Sequence, residues 1–142
     1  MTPRGKTFID SNLLIYAFDE SDEQKRLTAN RTLNELWAEG SGALSVQVLQ
    51  EFYWNVTRKI RTPLARPAAW KVVDNYAQWC GVTSAQEVEA ALRIESEFQI
   101  SFWDALIVAS ARKCGATCVL SEDMQHCQII DGIEIVNPFR PL

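Results

Sequence analysis

Residues 101–120 have the sequence SFWDALIVASARKCGATCVL, which contains a helix and a strand in immediate succession. Ser101 is a typical N-cap, and residues 102–114 are apolar on nearly every side, as expected of a buried helix. Gly115 ends this helix, and residues 117–120 are rich in β-forming side chains. A buried helix that leads directly into a strand is typical of an α/β domain, in which helices cover a sheet.

The same alternation of strands and helices extends along the rest of the chain. Further strands are predicted at 6–9, 43–44, 129–130 and 133–136, the last two joined by a turn at Asp131-Gly132. Further helices are predicted at 12–18, 22–39, 45–60, 67–80 and 84–98, the last opened by a Ser84–Glu87 capping box. The 142 residues fit one domain, residues 1–142, with a mainly parallel central sheet flanked by helices.

The composition predicts a protein with a substantial core and no membrane contact. Hydrophobic residues make up 47% of the chain, yet no run of about eighteen apolar residues could span a bilayer. The segment after Met1 has no apolar signal region, so we expect a cytoplasmic protein with reduced cysteines.

The net charge of −4, taken alone, argues against a nucleic-acid partner, because phosphate binding usually needs a basic surface. The distribution of charge is more informative than its sum. Four cations, called the basic segment below, lie close together in the chain: Arg58, Lys59, Arg61 and Arg66. They form either a solvated helix end or a surface that holds RNA backbone.

Asp104 is the most informative residue, because its carboxylate belongs to an apolar helix. Ile107, Val108 and Ala111 follow it on the same helical face. A buried carboxylate needs a metal ion, an arginine or a proton to compensate for its lost hydration. Asp104 is also the third helical residue after Ser101, where a purely structural capping role would suffice.

Three other acids have weaker local signals. Asp10 follows the first strand and precedes Ser11 and Asn12, a pattern that an ordinary strand-to-helix turn also has. Glu51 points away from the apolar stripe of its helix, as solvated glutamates do. Asp123 follows the strand that ends at residue 120, and Glu122 beside it is an alternative ligand. Because ligands bind at the carboxyl ends of parallel strands, Asp10 and Asp123 are well placed for a site.

The cysteines and the single histidine indicate no zinc site. The four cysteines form no C-x-x-C pair and are expected to be small buried hydrophobic residues: Cys80, Cys114, Cys118 and Cys127. His126 is expected at the surface.

Together, four segments resemble the motifs of the PIN domain family, and especially the VapC-type toxins of bacterial toxin–antitoxin pairs. The segments are FIDSNLL at 8–14, SVQVLQEF at 45–52, SFWDALI at 101–107 and LSEDM at 120–124. They follow one another in the family's order and span nearly the whole chain. The third is the most distinctive.

The resemblance implies a PIN-like fold and a site in which Asp10, Glu51, Asp104 and Asp123 hold Mg²⁺, or Mn²⁺, for hydrolysis of RNA phosphodiester bonds. Carboxylates from separate segments suit Mg²⁺, a hard ion that prefers oxygen ligands and keeps several waters. Ser11, Asn12 and Ser121 would orient these ligands.

The resemblance also implies a toxin ribonuclease that forms a homodimer and is inhibited by a cognate antitoxin. The tryptophans could supply apolar surface for these partners, but ordinary core packing is the preferred interpretation for most of them.

Other classes of protein fit the sequence less well. A non-catalytic PIN-like module that binds RNA or protein is the main alternative, although no acid has been lost. A haloacid-dehalogenase-type phosphotransferase would need a second aspartate at the position of Asn12. A Rossmann-type nucleotide binder would need a glycine-rich motif after a strand, which the sequence lacks.

Overall fold

A five-stranded sheet forms the centre of the protein in a computed structural model that describes residues 5–140. The strands are β1 (Lys6–Ile9), β2 (Gly42–Ala43), β3 (Ala116–Leu120), β4 (Ile129–Ile130) and β5 (Ile133–Val136). Their spatial order is β2-β1-β3-β5-β4. All pairs are parallel except β4 with β5, which form the predicted hairpin. The prediction of a mainly parallel sheet is confirmed.

Six α-helices in the described part of the chain flank the sheet. They are α1 (Ser11–Tyr16), α2 (Glu23–Glu39), α3 (Val46–Arg58), α4 (Arg66–Tyr76), α5 (Ala85–Phe98) and α6 (Phe102–Lys113). The predicted caps at Ser101 and Ser84 are confirmed, since the Ser101 hydroxyl accepts a hydrogen bond from the helix α6 backbone and Ser84 forms a complete capping box with Glu87. Ser45 precedes α3 but makes no side-chain cap bond. The buried side of α6 includes Ile107 and Val108, as its apolar sequence predicts.

The helix predicted at 67–80 differs most from the structure. Residues 67–80 do not form one helix, because α4 ends at Tyr76, a 3₁₀ turn follows at Ala77–Trp79, and Cys80 is extended. Leu44 pairs with this segment, since its N–H donates to the Trp79 carbonyl at 3.1 Å and its carbonyl accepts from Gly81 at 3.3 Å. Tertiary backbone pairing therefore overrides the local helical pattern here.

The expectation that most tryptophans pack in the core is wrong. Four of the five expose more than a third of their surface, with relative accessibilities of 37% for Trp37, 52% for Trp54, 58% for Trp70 and 63% for Trp103. All four belong to helices, and the core is filled instead by aliphatic residues and by Phe8 and Phe52. These rings are therefore available for contacts with other molecules.

Several smaller expectations also have an outcome. Three cysteines are half-buried, Cys127 is exposed, and all four are free thiols. No helix among residues 5–140 is long and apolar enough to cross a membrane. Residues 1–4, on which the absence of a signal segment was partly judged, lie outside the described residues.

Candidate functional site

The sheet topology brings Asp10 and Asp123 to the same edge. β1 and β3 are parallel neighbours in which Ile9 is paired with Leu120. Asp10 follows directly, and its backbone N–H donates to the Leu120 carbonyl at 3.0 Å. The carboxyl ends of these two strands therefore lie side by side, as the sequence pattern predicted.

Asn12 joins the first and fourth acidic segments through its side-chain amide. Its Nδ2 donates to Oδ2 of Asp123 at 3.2 Å and lies 3.3 Å from Oγ of Ser121. Its Oδ1 accepts the backbone N–H of Glu122 at 3.2 Å. Nδ2 also lies 3.5 Å from Oδ2 of Asp10, at the limit of a hydrogen bond. One buried amide thus fixes two carboxylates at a set separation.

Asp10 is the most deeply buried carboxylate of the site, with only 6% of its surface exposed. Its Oδ1 caps α1 by accepting the Ser11 N–H at 2.8 Å, and its Oδ2 accepts the Ser121 hydroxyl at 2.7 Å. Burial raises the pKa of Asp10 from 3.8 to about 6, against the lowering effect of these hydrogen bonds, and the Glu51 and Asp123 carboxylates add to the rise. Without a cation, the charged form of Asp10 is therefore disfavoured.

Glu51 faces the other acids instead of bulk solvent. Its helical position, opposite the apolar stripe of α3, favoured a solvated side chain, but Glu51 is half-buried and lies near the side chains of Ser11 and Gln47. Desolvation raises its pKa, these polar neighbours lower it, and the carboxylates of Asp123 and Asp104 raise it further. Tertiary packing places the polar side of α3 at the site, where helical periodicity alone predicts solvent.

Asp104 lies in the first turn of α6, where its backbone N–H donates to Oγ of Ser101 at 3.1 Å. Its side chain is half-buried, and desolvation together with the nearby Asp123 carboxylate raises its pKa. Capping and proximity to the other acids therefore coexist at this residue. The structure brings Asp10, Glu51, Asp104 and Asp123, called the acidic cluster below, into one region, where the pKa values of Asp10, Glu51 and Asp104 are each raised by at least one of the other carboxylates.

Within the part of the chain that the structure describes, the acidic cluster has no cationic side chain as a partner. None of its four carboxylates forms an ion pair with a lysine, arginine or histidine among residues 5–140. Within the same range, no three acidic, histidine or cysteine side chains are arranged to hold a metal ion as they stand. The chemistry of the donors nevertheless fits a hard divalent cation, because Mg²⁺ retains several waters and uses few direct carboxylate ligands.

Glu122, the alternative to Asp123, has other partners. Its Oε1 accepts the Tyr16 hydroxyl at 2.6 Å, and its Oε2 lies 2.6 Å from Nζ of Lys25. The Lys25 ammonium also lies 4.7 Å from the centroid of the Tyr16 ring. The charge of Glu122 is thus neutralised within the protein, whereas the hydrogen bonds of Asp123 to residues 5–140 join it to the Asn12 amide and to Ser121.

Sequence reasoning missed Tyr16 and Lys25, which hold Glu122, and also Trp54. No spacing rule links Lys25 of α2 with a loop residue about a hundred positions later. Trp54 could have been suspected, because it lies one helical turn after Glu51 and one turn before Arg58. His126 is half-buried and not fully at the surface, since its Nδ1 accepts the Asn137 N–H at 2.9 Å.

Comparison with known proteins adds a family and a set of similar folds. The sequence model of the PIN domain matches residues 7–130. A toxin–antitoxin complex from Klebsiella pneumoniae contains a similar chain, with a TM-score of 0.70 at 18% identity, covering 96% of this chain and 100% of that one.

Two further solved structures share the fold. The sarcin–ricin-loop-cleaving toxin VapC20 from Mycobacterium tuberculosis has a TM-score of 0.61 at 22% identity, covering 83% of this chain and 90% of that one. VapBC2 from Rickettsia felis, bound to a DNA fragment from its promoter, has a TM-score of 0.63 at 16% identity, with coverages of 91% and 96%. Comparison with curated proteins gives no match.

Proposed function

Since the chain belongs to the PIN domain family, we propose that it is a metal-dependent endoribonuclease that hydrolyses RNA phosphodiester bonds at the acidic cluster. Mg²⁺ is the proposed ion, with Mn²⁺ as a substitute. The observation that carries the proposal is Asp10, a buried carboxylate that has polar partners but no paired cation among residues 5–140. A site built in this way gains stability when a divalent ion arrives.

Asp10, Glu51 and Asp104 are the proposed principal ligands, and Asp123 completes the set or orients a water molecule. A bound divalent ion would lower the pKa of a water nucleophile and stabilise the charge that develops on the phosphate and the leaving oxygen. The chain's own contribution is orientation. The Ser121 hydroxyl and the Asn12 amide hold Oδ2 of Asp10 and Oδ2 of Asp123 in fixed positions, which limits the reorganisation needed on binding.

We further propose that this nuclease is the toxin of a VapBC-type pair, that it acts in the cytoplasm, and that it forms a homodimer and binds a cognate antitoxin. The family match supports a nuclease, and several similar folds come from structures described as toxin–antitoxin assemblies. The exposed tryptophans offer apolar surface of the kind that protein partners cover.

RNA cleavage tests the proposed function. Purified protein, separated from any antitoxin, is incubated with total RNA in Mg²⁺, in Mn²⁺ and in EDTA. We expect discrete cleavage products with either metal and none in EDTA. Cleavage that persists in EDTA would contradict metal dependence. Intact RNA under every condition would favour the non-catalytic, RNA- or protein-binding PIN-like module instead.

The two neighbouring acids of the fourth segment should respond differently to neutralisation. We expect Asp123→Asn to lower the rate of metal-dependent cleavage at least about tenfold, the lower end of the effect of losing a residue that supports a metal site. Glu122→Gln removes a charge of the same sign one residue away, but its partners are Tyr16 and Lys25. It should change the rate less than threefold, and a reversed order would identify Glu122 as the fourth acid.

The cap of α6 should matter for activity as well as stability. Ser101→Ala removes the bond to the Asp104 backbone and should lower the free energy of unfolding by about 1 kcal/mol. Ser84→Ala is the matched control, because it removes the cap of α5, which carries none of the four acids. Urea unfolding should give similar losses for both variants, whereas only Ser101→Ala should also slow cleavage. Equal slowing in both would show that the cap acts only through stability.

A further inference from the structure

A cavity of about 530 Å³ is lined by residues from the first half of α2 and by residues 138–140. Its volume lies in the range of sites that hold small organic molecules. None of the four acids of the acidic cluster lines it. The proposed nuclease site therefore does not account for this cavity, and its chemistry can be considered separately.

Three cations line the cavity, although the whole chain has a net charge of −4: Lys25, Arg31 and Arg140. Arg31 and Arg140 are exposed, and neither forms a salt bridge with residues 5–140. Arg31 remains unpaired although Glu35 follows it by one helical turn, a spacing at which ion pairs often form. Two guanidinium groups are therefore available to an anion, and guanidinium binds phosphate oxygens in a bidentate manner.

Lys25 is held in place by its neighbours but has one donor left. Its Nζ lies 2.6 Å from Oε2 of Glu122 and donates to the Tyr16 hydroxyl at 3.3 Å. The same atom lies 4.7 Å from the centroid of the Tyr16 ring. Because an ammonium group has three N–H donors, one remains for a ligand in the cavity. A cation that is already oriented loses little conformational freedom when it binds an anion.

The acids near the cavity do not cancel its positive charge. Among the described residues that line it, Asp22 is the one carboxylate. This carboxylate caps α2 by accepting the backbone N–H of Lys25 at 3.1 Å. Glu122 balances the ammonium of Lys25 from outside the lining. The three cations therefore outnumber the two acids, and the surplus charge belongs to the two arginines.

The remaining lining is partly apolar. Leu27, Pro138 and Phe139 contribute to it, and more than half of the Leu27 surface is exposed. The Phe139 ring packs edge-on against Tyr16, with the two centroids 5.0 Å apart. A phosphate ion alone would leave these apolar side chains uncovered. The lining therefore favours a phosphate that is attached to a flat or apolar group.

We propose that this cavity binds a small organic phosphate of the nucleotide class. Arg31, Arg140 and the third donor of Lys25 hold the phosphate, and the base covers Leu27 and Phe139. A phosphate monoester carries up to about two negative charges at pH 7, which matches the two unpaired guanidinium groups. The binding is distinct from the proposed RNA cleavage and requires no metal ion.

Isothermal titration calorimetry of the full chain in EDTA tests the proposal. Without a metal ion the acidic cluster repels phosphate, so binding there does not contribute. The probes are AMP, inorganic phosphate, adenosine and the dinucleotide ApA, whose phosphate is an internal diester. We expect one-to-one saturable binding of AMP, with each of the other three probes bound at least about tenfold more weakly because each lacks the base or the phosphate monoester.

The double variant Arg31→Ala/Arg140→Ala should weaken AMP binding about tenfold or more, the effect of losing charged hydrogen-bond donors. Arg61→Ala/Arg66→Ala is the matched control, because it removes the same charge from exposed arginines that do not line the cavity. It should leave AMP binding within about twofold of the unmodified chain. Circular dichroism should be the same for both double variants, since all four side chains are exposed.

Each other outcome would overturn the proposal. Absence of saturable AMP binding up to about 1 mM would reject the site. Equal weakening in both double variants would show that net charge alone attracts the nucleotide. Binding of inorganic phosphate as tight as that of AMP would reject the organic ligand, and preference for ApA would assign the cations to the internal phosphates of a nucleic acid. RNA cleavage enters none of these measurements, so failure of the proposed nuclease function would leave their interpretation unchanged.

Discussion

Replacing Asp10 with asparagine should raise the free energy of unfolding of the metal-free protein at pH 8 while abolishing cleavage. The folded-state pKa of Asp10 is about 6, above its ordinary 3.8. Between these two pH values the folded chain binds more protons than the unfolded chain, so stability falls as the pH rises through that window. Above pH 6 Asp10 is ionised in both states, and the buried charge lowers the free energy of unfolding by its full amount.

The expected gain is up to about 3 kcal/mol, because each of the roughly two pKa units corresponds to about 1.4 kcal/mol. Asparagine avoids the charge and is an equally good N-cap for α1. Urea unfolding in EDTA should therefore give nearly equal stabilities near pH 4 and the full difference at pH 8. A difference that is the same at both pH values would contradict this electrostatic explanation.

Asp22→Asn is the matched control for this comparison. Asp22 also caps a helix, since it accepts the Lys25 N–H at 3.1 Å, but it is not one of the four clustered acids. Its replacement should change stability little at either pH. Addition of Mg²⁺ at pH 8 should stabilise the unmodified chain and Asp22→Asn, but not Asp10→Asn, because only the first two keep the buried ligand.

Asp104→Asn should lower the rate of metal-dependent RNA cleavage by at least about 100-fold, since even residues that only support metal ligands contribute 10- to 100-fold. The change is nearly isosteric, and Ser101 still caps the backbone N–H of residue 104. The fold should therefore be preserved, with circular dichroism and the unfolding midpoint close to those of the unmodified chain.

Asp74→Asn provides the control for Asp104→Asn. Asp74 is an exposed aspartate on α4, and its replacement should leave cleavage unchanged. Single-turnover rates in Mn²⁺ for both variants and the unmodified chain would measure the effect. Full activity in Asp104→Asn would remove this residue from the site and leave it a capping role only.

The fold could be predicted to a large extent from local patterns. The strand at residues 6–9, the Ser84 capping box and the Asp131-Gly132 turn each depend on neighbouring residues, so the sequence contains the whole signal. The segment at 77–80 could not be predicted in this way. Its departure from the helix follows from pairing with Leu44, which lies more than thirty residues earlier.

The grouping of the acids in the candidate site was predictable where strand ends determine a residue's position and less so where packing determines it. Asp10 and Asp123 meet because β1 and β3 are parallel neighbours. Glu51 has the periodicity of a solvated residue, and only the packing of α3 against α1 turns it inward. The tryptophans were expected in the core and lie at the surface, because hydrophobicity alone does not distinguish a buried ring from an exposed one.

The central claim is that Asp10, Glu51, Asp104 and Asp123 bind one divalent-metal centre. Anomalous diffraction from crystals of this protein grown with Mn²⁺ would test it most directly, because the ion's position is then observed. We predict an anomalous peak between these carboxylates, reached by small side-chain rotations, and its loss in crystals of Asp10→Asn. A peak only elsewhere, or none at an Mn²⁺ concentration that supports full cleavage, would contradict the claim.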